Sequence, residues 1–192
     1  VQFAKVSWDK TLEGNTLKYW AKSLGLEPTV ENGAELVIKA QLNGGASAIY
    51  HAMDEGDVEN IMKHPLTMIA SDGRLVVPGE GHPHPRWYGT FPRVLGLFVR
   101  EKQVLPLEEA IYKMSFLPAK TIGIKRRGLI KKGMFADITI FDKNRIIDRA
   151  TFEKPHQYSE GIHYVLVNGE LAIDNGEFQN IKAGKVLRKN SD

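Results

Sequence analysis

Two short stretches gather the residues best suited to chemistry: Met68-Ile-Ala-Ser-Asp-Gly73, and His82-Pro-His-Pro-Arg-Trp-Tyr-Gly-Thr-Phe-Pro-Arg93. An apolar run that ends on Ser-Asp-Gly delivers the Asp72 carboxylate to the end of a strand, where α/β enzymes keep reactive groups. Such a carboxylate can take a proton from a metal-bound water and pass it to a leaving amine, because the metal brings the water's pKa towards neutrality. Asp72 could equally close an Asx turn with Gly73, and the spacing leaves both readings open. Arg86 offers a fork that matches a carboxylate bidentately, and Tyr88 a phenol to support it. Arg93 suits a pairing near its own helix better than a substrate contact. His82 and His84 have the spacing that places two rings on one side of an extended segment, but each is followed by Pro, and a structural hydrogen-bonding role fits them better than metal ligation. His51, at a strand end, can line a pocket. His156 and His163 lie in β-rich sequence and suggest no chemistry.

The elements that would position these residues follow from periodicity. An opening strand spans Val1 to Trp8, and a helix runs from Thr11 to Leu24 with Gly25 as its stop. A second helix covers Val30 to Leu42 before Asn43-Gly44-Gly45. Ala46 to His51 reads as a strand, and Asp54 caps a helix through Lys63. With Leu66 to Ala70 as a buried strand, residues 46–72 have the order of a parallel βαβ unit ending at Asp72. The Gly- and Pro-rich segment 73–92 is expected to be a long loop over the strand ends. Arg93 to Glu101 and Leu107 to Phe116 read as helices. Beyond Pro118 the pattern turns β-like, with alternation over Ala136 to Phe141 and two runs flanking Asn168-Gly169, a strong hairpin signal.

At 192 residues and 42% hydrophobic, the chain can bury the core of one or two small domains. No apolar stretch approaches the length of a membrane span, and the start lacks the pattern of a signal peptide. A net charge of +3 with scattered basic residues gives no nucleic-acid footprint; Lys125-Arg126-Arg127 and Lys131-Lys132 read as solvated turns. The absence of cysteine excludes disulfides and thiolate metal sites from these residues and fits a cytoplasmic location. A start at Val1, already in strand-like sequence, suggests a piece of a longer protein.

Several motifs together resemble the D-aminoacylases, the N-acyl-D-amino-acid deacylases of the metal-dependent amidohydrolase superfamily. They are Ile69-Ala-Ser-Asp-Gly, His84-Pro-Arg-x-Tyr-Gly-Thr-Phe-Pro-Arg-Val-Leu-Gly96, Leu107-Glu-Glu-Ala-Ile-x-Lys-Met114, Leu117-Pro-Ala119, Gly128-Leu-Ile-x-x-Gly-x-x-Ala-Asp137 and Ala150-Thr-Phe-Glu153. The resemblance covers the family's C-terminal portion, from about residue 46 onward. It implies an α/β fold: the last strands and helices of an incomplete (β/α)8 amidohydrolase barrel over 1–122, then a small β-sandwich segment over 123–192. It also implies hydrolysis of N-acyl-D-amino acids to a carboxylate and a free D-amino acid by a metal-activated water, with zinc the usual metal. Asp72 matches the family's catalytic aspartate, and Arg86 the arginine suited to the substrate carboxylate; Tyr88 and His51 are expected to contact substrate as well.

The family's metal ligands, a His-x-His on the first strand, a Cys or modified Lys, and further His on middle strands, lie upstream of its aspartate. No such set is present, and His82-x-His84 falls on the wrong side of Asp72. The expectation is therefore no metal ligand in this chain, no zinc bound specifically by it alone, and no activity in isolation. The expected partners are a small-molecule substrate and either a second copy or the missing N-terminal part, with neither nucleic acid nor membrane. Competing expectations are a dihydroorotase-like or hydantoinase-like cyclic amidohydrolase, and a non-catalytic scaffold.

Overall fold

The computed structural model describes residues 1–189, so the last three residues of the expected 123–192 segment lie outside the described part. The chain forms two compact units. The first comprises Val1–Met53, Asp72–Tyr88 and Ala150–Gln157, and the second Asp54–Ser71, Gly89–Arg149 and Tyr158–Asp192.

The first unit is built on strand β1 (Gln2–Lys5), helices α1 (Leu17–Ser23) and α2 (Val30–Leu42), and strand β2 (Ser47–Ile49). Thr16 caps α1 by accepting from the Tyr19 N–H, and Thr29 caps α2 by accepting from Asn32 N–H. The expected helix from Thr11 therefore starts later. Asp9 caps a separate 3-10 turn over Lys10–Leu12, and Gly14, at φ +83, breaks the path before Thr16. Phe3, Val6, Leu12, Trp20, Ala21, Leu36 and Ala40 form the core, with Trp8 and Leu17 packed against it. The Phe3 ring meets Trp20 edge-on at 5.7 Å.

The expected parallel βαβ unit does not form. β2 pairs antiparallel with β1, Gln2 opposite Ile49. Leu66 lies in a turn and residues 67–72 form no strand, since no ladder partner flanks them among the described residues. Leu66 is 76% exposed, contrary to a buried strand.

In the second unit Asp54 caps α3 (Glu55–Lys63) by accepting from the Gly56 and Asp57 N–H groups. Helix α4 (Arg86–Arg93) begins seven residues earlier than the sequence suggested, and its first three residues belong to the first unit. It continues as a π-helix over Val94–Glu101, followed by α5 (Leu107–Met114) and α6 (Phe116–Ile122). Pro118 does not end the helical region, because it falls in the first turn of α6, where no intrahelical N–H is required. Met62, Val94, Leu95, Phe98, Leu105, Ala110 and Ile146 make the core. Gly96 lies so close to the chain at 146–147 that a Cβ there would come within 2.4 Å of the Ile147 Cδ1.

Lys113 is 1% exposed, and its ammonium donates to the carbonyl oxygens of His64 and Thr67, while its own carbonyl accepts from Ile69 N–H. One buried lysine thus fixes the segment that leads to Ser71. A four-stranded antiparallel sheet follows in the order β3 (Ile138–Phe141), β4 (Ile162–Val167), β5 (Glu170–Asp174), β6 (Glu177–Phe178). Asn168 and Gly169, both at positive φ, make the tight β4–β5 turn as anticipated.

Candidate active site

The candidate site residues Asp72, Arg86, Tyr88 and His51 all fall in the first unit. Pro83 and Pro85 hold the approach to α4 extended, and the Arg86 N–H donates to His84 Nδ1 at 3.0 Å. The His84 ring thereby satisfies one of the amides that a helix start leaves open. The turn delivers Arg86 to Asp72: its Nε donates to the Asp72 Oδ1 at 2.9 Å. The Asp72 side chain is 74% exposed and that of Arg86 45%, so both can reach a molecule arriving from solvent.

Tyr88 stands two residues on, about 200° around the helix from Arg86. Its hydroxyl lies 2.9 Å from the His156 Nδ1. Arg86 and Tyr88 are thus brought onto one helical turn but directed to different partners.

His51 and His82 are held by a buried amide. Gln2, 6% exposed, spends its two amide hydrogens on the carbonyl oxygens of Gly14 at 2.8 Å and Phe152 at 2.9 Å. Its Oε1 accepts from the His51 Nε2 at 3.1 Å, which fixes the Nε2–H tautomer of His51. The His82 Nε2 donates to the same Phe152 carbonyl, and its ring packs so tightly that a Cβ on Gly14 would lie 2.7 Å from its Nδ1. The Phe152 ring meets His51 at 4.5 Å and His84 at 5.1 Å, edge-on in both cases. His82 and His84 are therefore anchors of the loop. No three His, Cys, Asp or Glu side chains are grouped so as to hold a metal ion among the described residues. The residues present do not fit a zinc centre.

Arg93 does pair near its own helix. Its Nη1 donates to the Asp148 Oδ2 at 3.1 Å, and the Asp148 side chain is only 6% exposed. Gln2, Phe152 and His156 were missed as site residues. Only Phe152 had a signal, its place in the Ala150-Thr-Phe-Glu153 motif; the other two take their roles from partners far away in sequence.

Residues 20–173 match the amidohydrolase family. An N-acyl-D-glutamate deacylase of Alcaligenes xylosoxydans xylosoxydans is 42% identical over 159 residues, covering 83% of this chain and 32% of that protein. A D-aminoacylase solved in a study of its binuclear metal centre superposes with a TM-score of 0.87 at 38% identity, over 98% of this chain and 37% of that one. The N-acyl-D-glutamate deacylase of Bordetella bronchiseptica, solved with zinc and a phosphonate mimic of the tetrahedral intermediate, gives 0.78 at 37% identity, over 89% of this chain and 34% of that one. Dihydroorotases match over less of the chain, that of Lactobacillus gasseri at 34% identity over 90 residues. The chain spans about a third of the length of the deacylases it matches. It belongs to the amidohydrolase family and, within it, resembles the D-aminoacylases.

Proposed function

We propose that the protein to which this chain contributes hydrolyses the amide bond of N-acyl-D-amino acids, releasing a carboxylate and a free D-amino acid. The observation that carries this reading is the Asp72–Arg86 pair, a carboxylate and a guanidinium 2.9 Å apart and both open to solvent. Hydrolysis adds the oxygen of water to the carbonyl carbon and a proton to the departing nitrogen. Asp72 takes the proton from the attacking water and returns it to the amine, acting as base and then as acid. Arg86 binds the free carboxylate of the substrate, which places the scissile amide beside Asp72. Tyr88 and His51 contact the remainder of the substrate.

Zinc, the metal expected from the family resemblance, would need ligands from outside these 192 residues. The isolated chain is accordingly inactive in this reading, and it associates with the rest of the protein or with a second copy. Residues 1–122 are assigned to the end of a barrel, residues 123–192 to a β-sandwich segment, and the protein to the cytoplasm.

The test is an assay of the full-length protein on matched N-acetyl-D- and N-acetyl-L-amino acids, with Asp72→Asn alongside. Release of amine from the D series alone, abolished in the variant, is expected. Turnover restricted to cyclic amides would replace this reading with a dihydroorotase-like one, which the shorter family match favours as the second choice.

A further inference from the structure

Both ring nitrogens of His156 are tied to the segment that leads into and begins α4. Its Nδ1 lies 2.9 Å from the Tyr88 hydroxyl and 3.3 Å from the Gly79 N–H, and its Nε2 lies 3.0 Å from the Gly81 carbonyl. A carbonyl can only accept, so the proton belongs on Nε2. The Gly79 amide can only donate, so Nδ1 is the acceptor. The remaining contact then has one direction: the Tyr88 hydroxyl donates to Nδ1. The two rings meet edge-on, with centroids 5.8 Å apart and planes at 80°. Gly79 and Gly81 both stand at positive φ, at +85° and +64°, which lets two nearby peptide groups of the loop converge on opposite ends of one imidazole.

We infer that His156 is a positioning residue that sets the direction of the Tyr88 hydroxyl through Nδ1 while tethering the 79–81 loop through Nε2. This rests on the reading that Tyr88 contacts substrate. A phenol rotates about its own C–O bond, and its hydrogen goes wherever the best acceptor lies. With His156 Nδ1 taking that hydrogen, the Tyr88 oxygen meets a ligand as an acceptor. The groups it would meet are N–H or O–H donors, which an N-acyl-D-amino acid supplies as its amide N–H. A Tyr88 without His156 could present its hydrogen to the ligand instead, and would lose this preference.

Two replacements separate the two nitrogens of His156. Asn places an amide oxygen near the position of Nδ1 and gives up the Gly81 tether; Gln places an amide N–H near Nε2 and gives up the acceptor for Tyr88. In the full-length protein with 15N-labelled histidine, His156 is expected to show an unprotonated Nδ1 and a protonated Nε2, and Tyr88→Phe should move the Nδ1 resonance. In kinetics on N-acyl-D-amino acids, Tyr88→Phe and His156→Gln should each raise KM roughly tenfold with little change in kcat, about the size of one hydrogen bond, and the double variant should be no worse than either. His156→Asn should stay within roughly threefold of wild type, the fraction of that effect left when the acceptor is kept.

A proton on Nδ1, an Nδ1 resonance indifferent to Tyr88→Phe, or a KM unmoved by both Tyr88→Phe and His156→Gln would each overturn the inference. Equal losses from Asn and Gln with a lowered melting temperature would do so too, by reducing His156 to a fold-stabilising role. If the wild-type protein does not turn over N-acyl-D-amino acids, the proposed function fails by itself, and the histidine spectra still decide the role of His156.

Discussion

Helix α4 carries two arginine–aspartate pairs of the same chemistry and different surroundings. Arg86 meets Asp72 at 2.9 Å with the acid 74% exposed, and Arg93 meets Asp148 at 3.1 Å with the acid 6% exposed. An exposed pair of this kind is worth about 0–1 kcal/mol to the fold, so opening the pair itself costs little. A buried carboxylate has lost its water, and leaving one member of such a pair without the other costs more. Asp148 is also the residue that Gly89 approaches so closely that a Cβ there would lie 2.4 Å from its own Cβ. Burial of the acid, more than residue type or spacing, separates the pair suited to chemistry from the pair suited to holding the helix.

Substitutions at the two pairs should divide along that line. The largest effect belongs to Asp72→Asn in the full-length protein, with kcat/KM falling by about 10²–10⁴ and the melting temperature unchanged. If instead the melting temperature falls and activity survives, Asp72 has the structural role and the contrast is reversed. Next come the changes around Asp148. Arg93→Met should cost about 1–3 kcal/mol in denaturant unfolding by leaving the Asp148 carboxylate, 6% exposed, without its donor, with KM unaltered. Gly96→Ala should cost a similar amount, about 1–3 kcal/mol, because its Cβ would stand 2.6 Å from the Ile146 carbonyl oxygen.

A smaller change is expected for Arg86→Lys, which keeps the charge and loses the fork. KM for N-acyl-D-amino acids should rise about tenfold while stability stays the same. The smallest effect is at the exposed pair Arg149–Glu160, where the hydrogen bond from Arg149 holds the Glu160 carboxyl below the usual carboxylate range. A carboxyl lowered on folding stabilises the protein above its ordinary pKa, and that contribution is lost as the pH falls through the lowered folded value. Arg149→Gln should lower stability slightly at neutrality, where the contribution is fully present, and leave it unchanged at the acid end, so the acid limb of a stability-versus-pH curve flattens.

What the sequence revealed follows how local each determinant is. α2 and α3 have the expected ends because Thr29 and Asp54 cap them from within the same turn. The β4–β5 hairpin was legible because Asn168-Gly169 specifies its own backbone. Asp72 and Arg86 could be singled out from residue type and a Pro-rich approach, although nothing in the spacing announced that they pair. The strand expected at Leu66 to Ala70 failed for the opposite reason, since a strand exists only through a neighbour and the apolar run carries no record of one. His156 looked unremarkable because its significance comes from Tyr88, 68 residues away. Gln2 is the extreme case, an N-terminal amide whose partner at Phe152 is 150 residues distant.

That last contact has a bearing on synthesis. The first unit draws on three separated stretches of chain, and Gln2 and His82 both close onto the Phe152 carbonyl. A ribosome adds about 5–20 residues per second, so the amino-terminal strand must wait several seconds for that carbonyl to be made. During the wait β1 and β2 can pair and the Phe3–Trp20 core can gather, but the histidine-bearing loop has nothing to lock onto. Truncation before residue 152 should therefore yield a chain whose helices form and whose loop before α4 stays open to proteases, a long-range closure that makes the candidate site the last part of its unit to mature.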